Sequence, residues 1–183
     1  EMCIRDRCGD SWIGYFSPRD NKWNEASNTT TFFFSEGWVN LMYEYAITNI
    51  FAPWIQLKNI NMSGENPNKE MYAIAQISKI MGLHRSTDKF GPIPYKQVGN
   101  GSFTVEYDSQ ESVYRSFFEE LDEAVTVLYD FYMKANNTVP MASDVVYEGD
   151  VTKWIRLANS LMLRLAIRVR YADEVLALSL IHI

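Results

Sequence analysis

Apolar residues recur every three or four positions in four segments of the chain, and this spacing predicts amphipathic α-helices. The first helix is predicted to start after Ser35, a residue type preferred at N-caps, and to kink or end at Pro53. The second is predicted to place Pro67 at its first helical position and to run toward Asp88. The Gly-Pro-Ile-Pro sequence that begins at Gly91 should then stop it.

Two further helices follow in the second half of the chain. Residues 108–111 resemble a capping box and predict the start of the third helix, whose stripe is Tyr114, Phe117, Leu121, Ala124, Val125, Leu128 and Tyr132. Asp150 is predicted to cap the fourth, whose stripe is Trp154, Leu157, Ala158, Leu161, Leu165 and Val169. Four such helices joined by long loops predict an all-α fold built from antiparallel, tetratricopeptide-like helix pairs.

Composition narrows the class of protein. The 183 residues include 17 Lys and Arg against 23 Asp and Glu, for a net charge of −6. An acidic chain lacks the excess of basic groups that neutralises phosphates, so a nucleic-acid partner is not expected. No apolar run reaches the roughly eighteen residues that a membrane-spanning helix needs. The chain is therefore expected either to be cytosolic or to have lost a targeting segment.

Both ends of the chain look like translated sequencing-adapter sequence, namely residues 2–7 and 178–183. We therefore expect residues 1–8 and 178–183 to be artefactual termini and residues 9–177 to be a fragment of one α-helical domain. Cys3 and His182 fall in these ends, which leaves at most Cys8 and His84. Two such residues cannot build a disulfide framework or a Cys/His zinc site, and no metal or other cofactor is predicted.

The best candidate for ligand binding is an early loop rich in aromatic residues. Tryptophan and tyrosine faces stack on the C–H faces of sugar rings, while nearby amide, carboxylate and guanidinium groups hydrogen-bond the hydroxyls. The residues that supply this mixture are Trp12, Tyr15, Arg19, Asp20, Trp23 and Asn24. The alternative interpretation is that the rings pack the loop onto the helices, and the sequence leaves both open.

No group of residues predicts catalysis. The carboxylates Glu119, Glu120, Asp122 and Glu123 could serve acid–base chemistry, but they lie opposite the apolar stripe, where charges are usually solvated. A lone His84 is expected to be a hydrogen-bonded structural residue. The last helix carries Arg156, Arg164, Arg168 and Arg170. They could grip an anion, although salt bridges to acidic neighbours such as the third helix are the favoured interpretation.

Several separated motifs carry a resemblance to a known family. They are residues 90–95 (FGPIPY), 107–114, 121–124, 147–154 and 158–168. In this order they resemble the SusD/RagB-like outer-membrane nutrient-binding lipoproteins of the Bacteroidetes, over about residues 35–175. Pro92 departs from the pattern, since an acidic or polar residue is more usual there. The motifs are scaffold elements and transfer no sugar-binding residue to this chain.

The resemblance implies a binding protein and not an enzyme. It implies a lipid-anchored protein on the outer face of the outer membrane that captures a glycan or another nutrient. Such a protein passes its ligand to a TonB-dependent, SusC-like barrel transporter. Two alternatives remain open: a helical-repeat scaffold that binds a protein through the arginine-bearing helix, and a glycoside hydrolase fragment that uses the carboxylates of the third helix.

Overall fold

The computed structural model describes residues 13–15, 33, 36–62, 67–134 and 137–181. The chain divides into two compact units, residues 1–45 and 46–183. In the first unit the described residues are a turn at 13–15, Phe33 and most of the first helix. The second unit holds the remaining helices. The expectation that residues 1–8 and 178–183 are artefactual stays a prediction.

The described residues form helices and the loops between them. The helices are α1 (Glu36–Ala46), a π-helical turn (Ile47–Phe51), α2 (Ala52–Met62), α3 (Lys69–Phe90), α4 (Gln110–Met133), α5 (Val151–Val169) and α6 (Glu174–Ile181). Within the second unit, each helix packs on the next one along the chain. The only β-structure in the described segments is two isolated bridges, Ile93 with Asp108 and Thr138 with Asp150. The predicted all-α class is confirmed.

The first predicted helix does not end at Pro53, which rules out one of the two expected outcomes there, a kink or an end. A π-helical turn precedes this proline, and the amide of Ala52 bonds the carbonyl of Ile47, five residues back. Pro53 is then the second residue of α2. In the first turn of a helix a proline's missing N–H removes no essential bond, so the helix continues to Met62.

The capping of α3 and α4 differs in detail from the prediction. Pro67 is not the first helical position of α3: the helix begins at Lys69, and Asn68 caps it by accepting a hydrogen bond from the Met71 amide. Ser109 caps α4 and accepts from the Ser112 amide at 3.2 Å. No Glu occupies the position that would complete a capping box there. Asp108 instead accepts bonds from the Tyr95 and Lys96 amides, which fixes the turn after α3 against the start of α4.

The core of the second unit lies mainly between α3, α4 and α5. Its fully buried side chains include Ile77, Ile80, Leu83, Phe117, Leu121, Leu128 and Leu165. Gly82 lets the π-helical turn approach α3, since a Cβ at this position would lie 2.5 Å from Ile50 Cδ1. None of the helices in the described ranges combines the length and apolar character needed to cross a membrane.

Candidate functional site

The predicted aromatic loop is represented in the structure by one of its site residues. Tyr15 lies in the turn at 13–15 with 79% of its side chain exposed. Gly14 precedes it at a φ of 81°, a conformation that glycine adopts without strain. Trp12, Arg19, Asp20, Trp23 and Asn24 lie outside the described residues. Tyr15 therefore offers its ring to solvent, as a sugar-stacking residue must.

A buried lysine forms the most heavily connected polar cluster of the second unit. Lys79 lies on α3 with 1% of its side chain exposed, and its Nζ is 2.7 Å from Glu120 Oε2 on α4. The same Nζ lies 4.0 Å from the ring centre of Trp54 and 4.6 Å from that of Tyr95. One ammonium group thus joins α2, α3, α4 and the turn after α3 through an ion pair and two cation–π contacts.

Burial controls the protonation of this lysine cluster. Loss of hydration lowers the pKa of Lys79, and the neighbouring Glu120 carboxylate only partly opposes that shift. Burial also raises the pKa of Tyr95, whose hydroxyl donates a 2.6 Å hydrogen bond to Glu120 Oε2. Oε2 of Glu120 therefore accepts hydrogen bonds from both groups.

Glu120 corrects one prediction made for the carboxylates of α4. This side chain is only 23% exposed and pairs with Lys79, so it does not lie on a solvated face. Glu119, Asp122 and Glu123 are exposed, as expected. Within the described ranges, no three His, Cys, Asp or Glu side chains are grouped so that they could hold a metal ion. Glu120 therefore serves to connect helices.

Arg168 of α5 takes part in a second network. Arg168 Nη2 lies 3.0 Å from Asp88 Oδ2, and Tyr114 donates its hydroxyl proton to the other oxygen of Asp88. Burial, and then this hydrogen bond to Asp88, raise the pKa of Tyr114 to about 12. A salt bridge was the favoured interpretation for the arginines of the last predicted helix, and Arg168 forms one. Its acidic partner lies on α3, the second predicted helix, and not on α4, which is the third.

His84 is only partly satisfied as a hydrogen-bonding residue. The side chain is buried, and Nδ1 lies 3.2 Å from the Ile80 carbonyl, one turn back along α3. Nε2 is buried without a hydrogen-bond partner in the described part of the chain. Burial lowers the pKa of this imidazole, with the positive charge of Arg164 adding to that effect. His84 is therefore a neutral core residue at physiological pH.

Lys79 is the polar residue that sequence reasoning missed. Its signal was present: Lys79 stands between Ile77 and Ile80, both buried positions of α3, so it occupies the core face of the helix. A charged residue at such a position requires a buried partner. The sequence does not show that Glu120, 41 positions further along, is that partner.

A protein-family model and solved structures both match the chain. The family model is described as SusD-like, "Susd and RagB outer membrane lipoprotein", and it matches residues 3–182. Among curated proteins, none matches the chain. A chitin-binding SusD homologue from Flavobacterium johnsoniae is similar, with 30% identity and a TM-score of 0.83. The similarity covers 98% of this chain and 38% of that one.

Two Bacteroides structures give the same result. A SusD homologue from Bacteroides uniformis is 32% identical with a TM-score of 0.78, and the match covers 97% of this chain and 36% of that one. A homologue from Bacteroides vulgatus is 31% identical with a TM-score of 0.74, covering 82% and 30% of the two chains. The chain thus spans between about one third and two fifths of the length of these proteins.

Proposed function

Because the chain belongs to the SusD-like family of outer-membrane lipoproteins, as its sequence motifs indicated, we propose that it is part of a cell-surface protein that binds a glycan. The observation that carries this proposal is the similarity, over 98% of this chain, to a structure described as chitin-binding. Family membership also confirms the prediction that the chain is not an enzyme. The proposed role is capture of ligand without its chemical conversion.

The polar groups of the second unit support a binding role over a catalytic one. A general acid or base must reach the substrate and exchange protons with it. Lys79, Glu120 and Tyr95 instead satisfy one another in the core, and Asp88, Tyr114 and Arg168 do the same between α3, α4 and α5. These groups hold helices of the fold together.

We further propose that the early loop is a sugar-binding surface, formed by Trp12, Tyr15, Arg19, Asp20, Trp23 and Asn24. The exposure of Tyr15 supports this assignment, because a ring that filled the core could not stack on a ligand. Lipid anchoring and delivery of the glycan to a SusC-like, TonB-dependent transporter complete the proposed role. Both follow from the resemblance to the family.

Binding of chitin oligosaccharides, measured by isothermal titration calorimetry, tests the proposed function. We expect binding by the intact chain and a several-fold loss of affinity in Trp12→Ala and Tyr15→Ala, with little change in stability. Tyr171→Ala is the matched control, since Tyr171 is also exposed but lies between α5 and α6. Absence of binding to chitin oligosaccharides and to a panel of other glycans would contradict the proposal.

Delivery to the transporter requires its own experiment. The gene for the longer protein and an adjacent gene for a TonB-dependent barrel would be expressed together in an outer membrane, and the barrel would be purified by an affinity tag. We expect the lipoprotein to co-purify with the barrel. Recovery of the barrel alone, from membranes that contain both proteins, would contradict a role in delivery.

A further inference from the structure

A crevice of about 260 Å³ lies between the end of α4 and the start of α5. It is lined by one aromatic residue and four polar residues, namely Tyr132, Asn137, Thr138, Asp150 and Thr152. Tyr132 comes from the last turn of α4, where 40% of its side chain is exposed. An aromatic ring beside amide, hydroxyl and carboxylate groups is the combination that recognises a sugar.

Backbone hydrogen bonds fix the positions of the residues around the crevice. Thr138 and Asp150 form an antiparallel bridge. The Val151 amide donates to the Asn137 carbonyl at 3.1 Å, and the Val139 amide donates to the Gly149 carbonyl at 2.9 Å. Main-chain groups and the Asp144 carboxylate hold this connection together, so the side chains of Asn137 and Thr138 are not needed for that purpose. A prearranged set of polar groups reduces the ordering cost of binding.

Three of the lining side chains have hydrogen-bonding capacity to offer. The Tyr132 hydroxyl, the Asn137 amide and the Thr138 hydroxyl make no hydrogen bond to another described residue. The other two bond each other, because Thr152 Oγ1 donates to Asp150 Oδ1 at 2.7 Å. A ligand could therefore gain hydrogen bonds from the first three groups without breaking any contact of the fold.

Charge and size restrict the class of ligand. The Asp150 carboxylate accepts hydrogen bonds from the Thr152 and Lys153 amides at the start of α5. These two amides are therefore not available to a ligand. The hydrogen bond from the Thr152 hydroxyl, and then the one from the Lys153 amide, lower the pKa of Asp150, which therefore stays ionised at neutral pH and disfavours an anionic ligand. Pockets for drug-sized ligands begin at about 300 Å³, so this smaller crevice suits a single ring.

We infer that this crevice binds one neutral sugar ring, with Tyr132 as the stacking surface and Asn137 and Thr138 as hydrogen-bonding partners. The inference rests on the proposed glycan-binding function. It adds a sugar-binding contact that lies within residues 46–183. The residues are different from those of the early loop, so variants can test the two surfaces one at a time.

Titration of the ¹⁵N-labelled chain with N-acetylglucosamine, glucose, galactose and mannose, followed by NMR, tests the inference. We expect at least one of these monosaccharides to shift the amide signals of Asn137, Thr138 and Thr152 in a saturable manner. Tyr132→Ala should weaken that binding about fivefold, in the range of aromatic stacking contacts. Asn137→Ala should weaken it as well, and Tyr132→Phe should lose less because it keeps the ring.

Tyr129→Ala is the matched control, because Tyr129 is 52% exposed one turn earlier on α4 and does not line the crevice. It should bind as the unchanged chain does, and circular dichroism should show all variants folded. If a sugar binds but Tyr132→Ala and Tyr129→Ala behave alike, the crevice assignment is wrong while the proposed function stands. If neither these monosaccharides nor any glycan of the panel binds, both are wrong.

Discussion

Along α4, the side that meets α3 is held by buried side chains, whereas the connection that leads from α4 to α5 is held by backbone hydrogen bonds and one carboxylate. In the first region Lys79, Tyr95 and Glu120 use their polar groups on one another. In the second region, main-chain hydrogen bonds around Thr138 and Gly149 connect the chain segments. Polar side chains remain available to a ligand where backbone bonds and a single carboxylate maintain the fold.

Asp144 completes the second region and shows how little side-chain chemistry it needs. This one carboxylate accepts hydrogen bonds from the amides of Val146, Tyr147 and Gly149 and from the indole of Trp154. Burial alone would raise the pKa of Asp144, but these hydrogen bonds outweigh it and keep that pKa below its ordinary value. A single ionised residue thus adds to the backbone bonds that fix this connection.

Breaking the buried ion pair of Lys79 and Glu120 should cause the largest loss in the free energy of unfolding. In Glu120→Ala the Lys79 ammonium loses its carboxylate and remains buried, and removal of one partner of such a pair costs about 4 kcal/mol. Urea unfolding measures the free energy of unfolding. Glu119→Ala is the matched control on the neighbouring exposed position, and equal losses in the two variants would contradict the structural role of Glu120.

A methyl group added at Gly149, in the connection between α4 and α5, should cause the next largest loss of stability. Gly149 has a φ of 78°, and a Cβ there would lie 2.1 Å from the Val139 carbonyl oxygen. We expect Gly149→Ala to destabilise the chain by about 3 kcal/mol, since strain and steric conflict add. Gly101 has a φ of 77° and nothing within 4 Å of its Cβ, so Gly101→Ala should cost only about 1 kcal/mol.

The same urea titration separates these two glycine variants. If Gly101→Ala is as damaging as Gly149→Ala, the left-handed conformation alone accounts for both costs. The close approach between the backbone at Gly149 and Val139 would then contribute nothing to stability.

Acid should weaken the core between α3 and α5 through His84. Its pKa in the folded chain is lowered by burial, below the unfolded value of about 6.5. As pH falls below 6.5 the unfolded chain binds a proton that the folded chain does not, so stability decreases by at most about 1.4 kcal/mol per pH unit. The stability contribution is therefore complete above pH 6.5.

Unfolding experiments between pH 7 and pH 5 measure this dependence. Asp88 and Arg164 are the charged groups that act on the imidazole, and Asp88 favours the protonated form while Arg164 opposes it. His84→Gln removes the titrating group and should flatten the pH dependence. Equal slopes in the two proteins would assign the acid sensitivity to other residues.

The exposed ion pairs of Arg115 should contribute least to the stability of the fold. Arg115 on α4 bridges Glu111 and Asp173, and about half of its side chain is open to water. Because solvent screens such charges, Arg115→Ala should leave the melting temperature nearly unchanged, in contrast to Glu120→Ala. Thermal melts at low and high salt check this, and a large drop in melting temperature would show that the bridge to Asp173 matters for docking α6.

Much of the fold could be predicted from local patterns in the sequence. The apolar stripes gave the helical segments, Asp150 was identified as a cap, and Gly91 does end α3. These features depend on residues close together in the chain. The continuation of the helix past Pro53 was not predicted, because the π-helical turn that precedes this proline has no sequence signature comparable to a cap.

The polar clusters could not be predicted because they join distant residues. Glu120 was placed on the solvated face by periodicity, and only the packing of α3 on α4 shows that Lys79 reaches it. The crevice was missed for the same reason, since Tyr132 and Thr152 meet through the backbone bridge of Thr138 and Asp150. For the early loop the sequence still provides most of the assignment, with Tyr15 as the residue seen in the structure.

Stability and sugar affinity measured together on Glu120→Ala and Tyr132→Ala provide the most direct test that fold and binding use different side chains. The monosaccharide that shifts the crevice amides would be the ligand. We predict that Glu120→Ala loses several kcal/mol of stability while its folded population keeps its affinity. Tyr132→Ala should keep its stability and lose affinity about fivefold. The reverse pattern, lost stability in Tyr132→Ala with unchanged affinity, would contradict this division of roles.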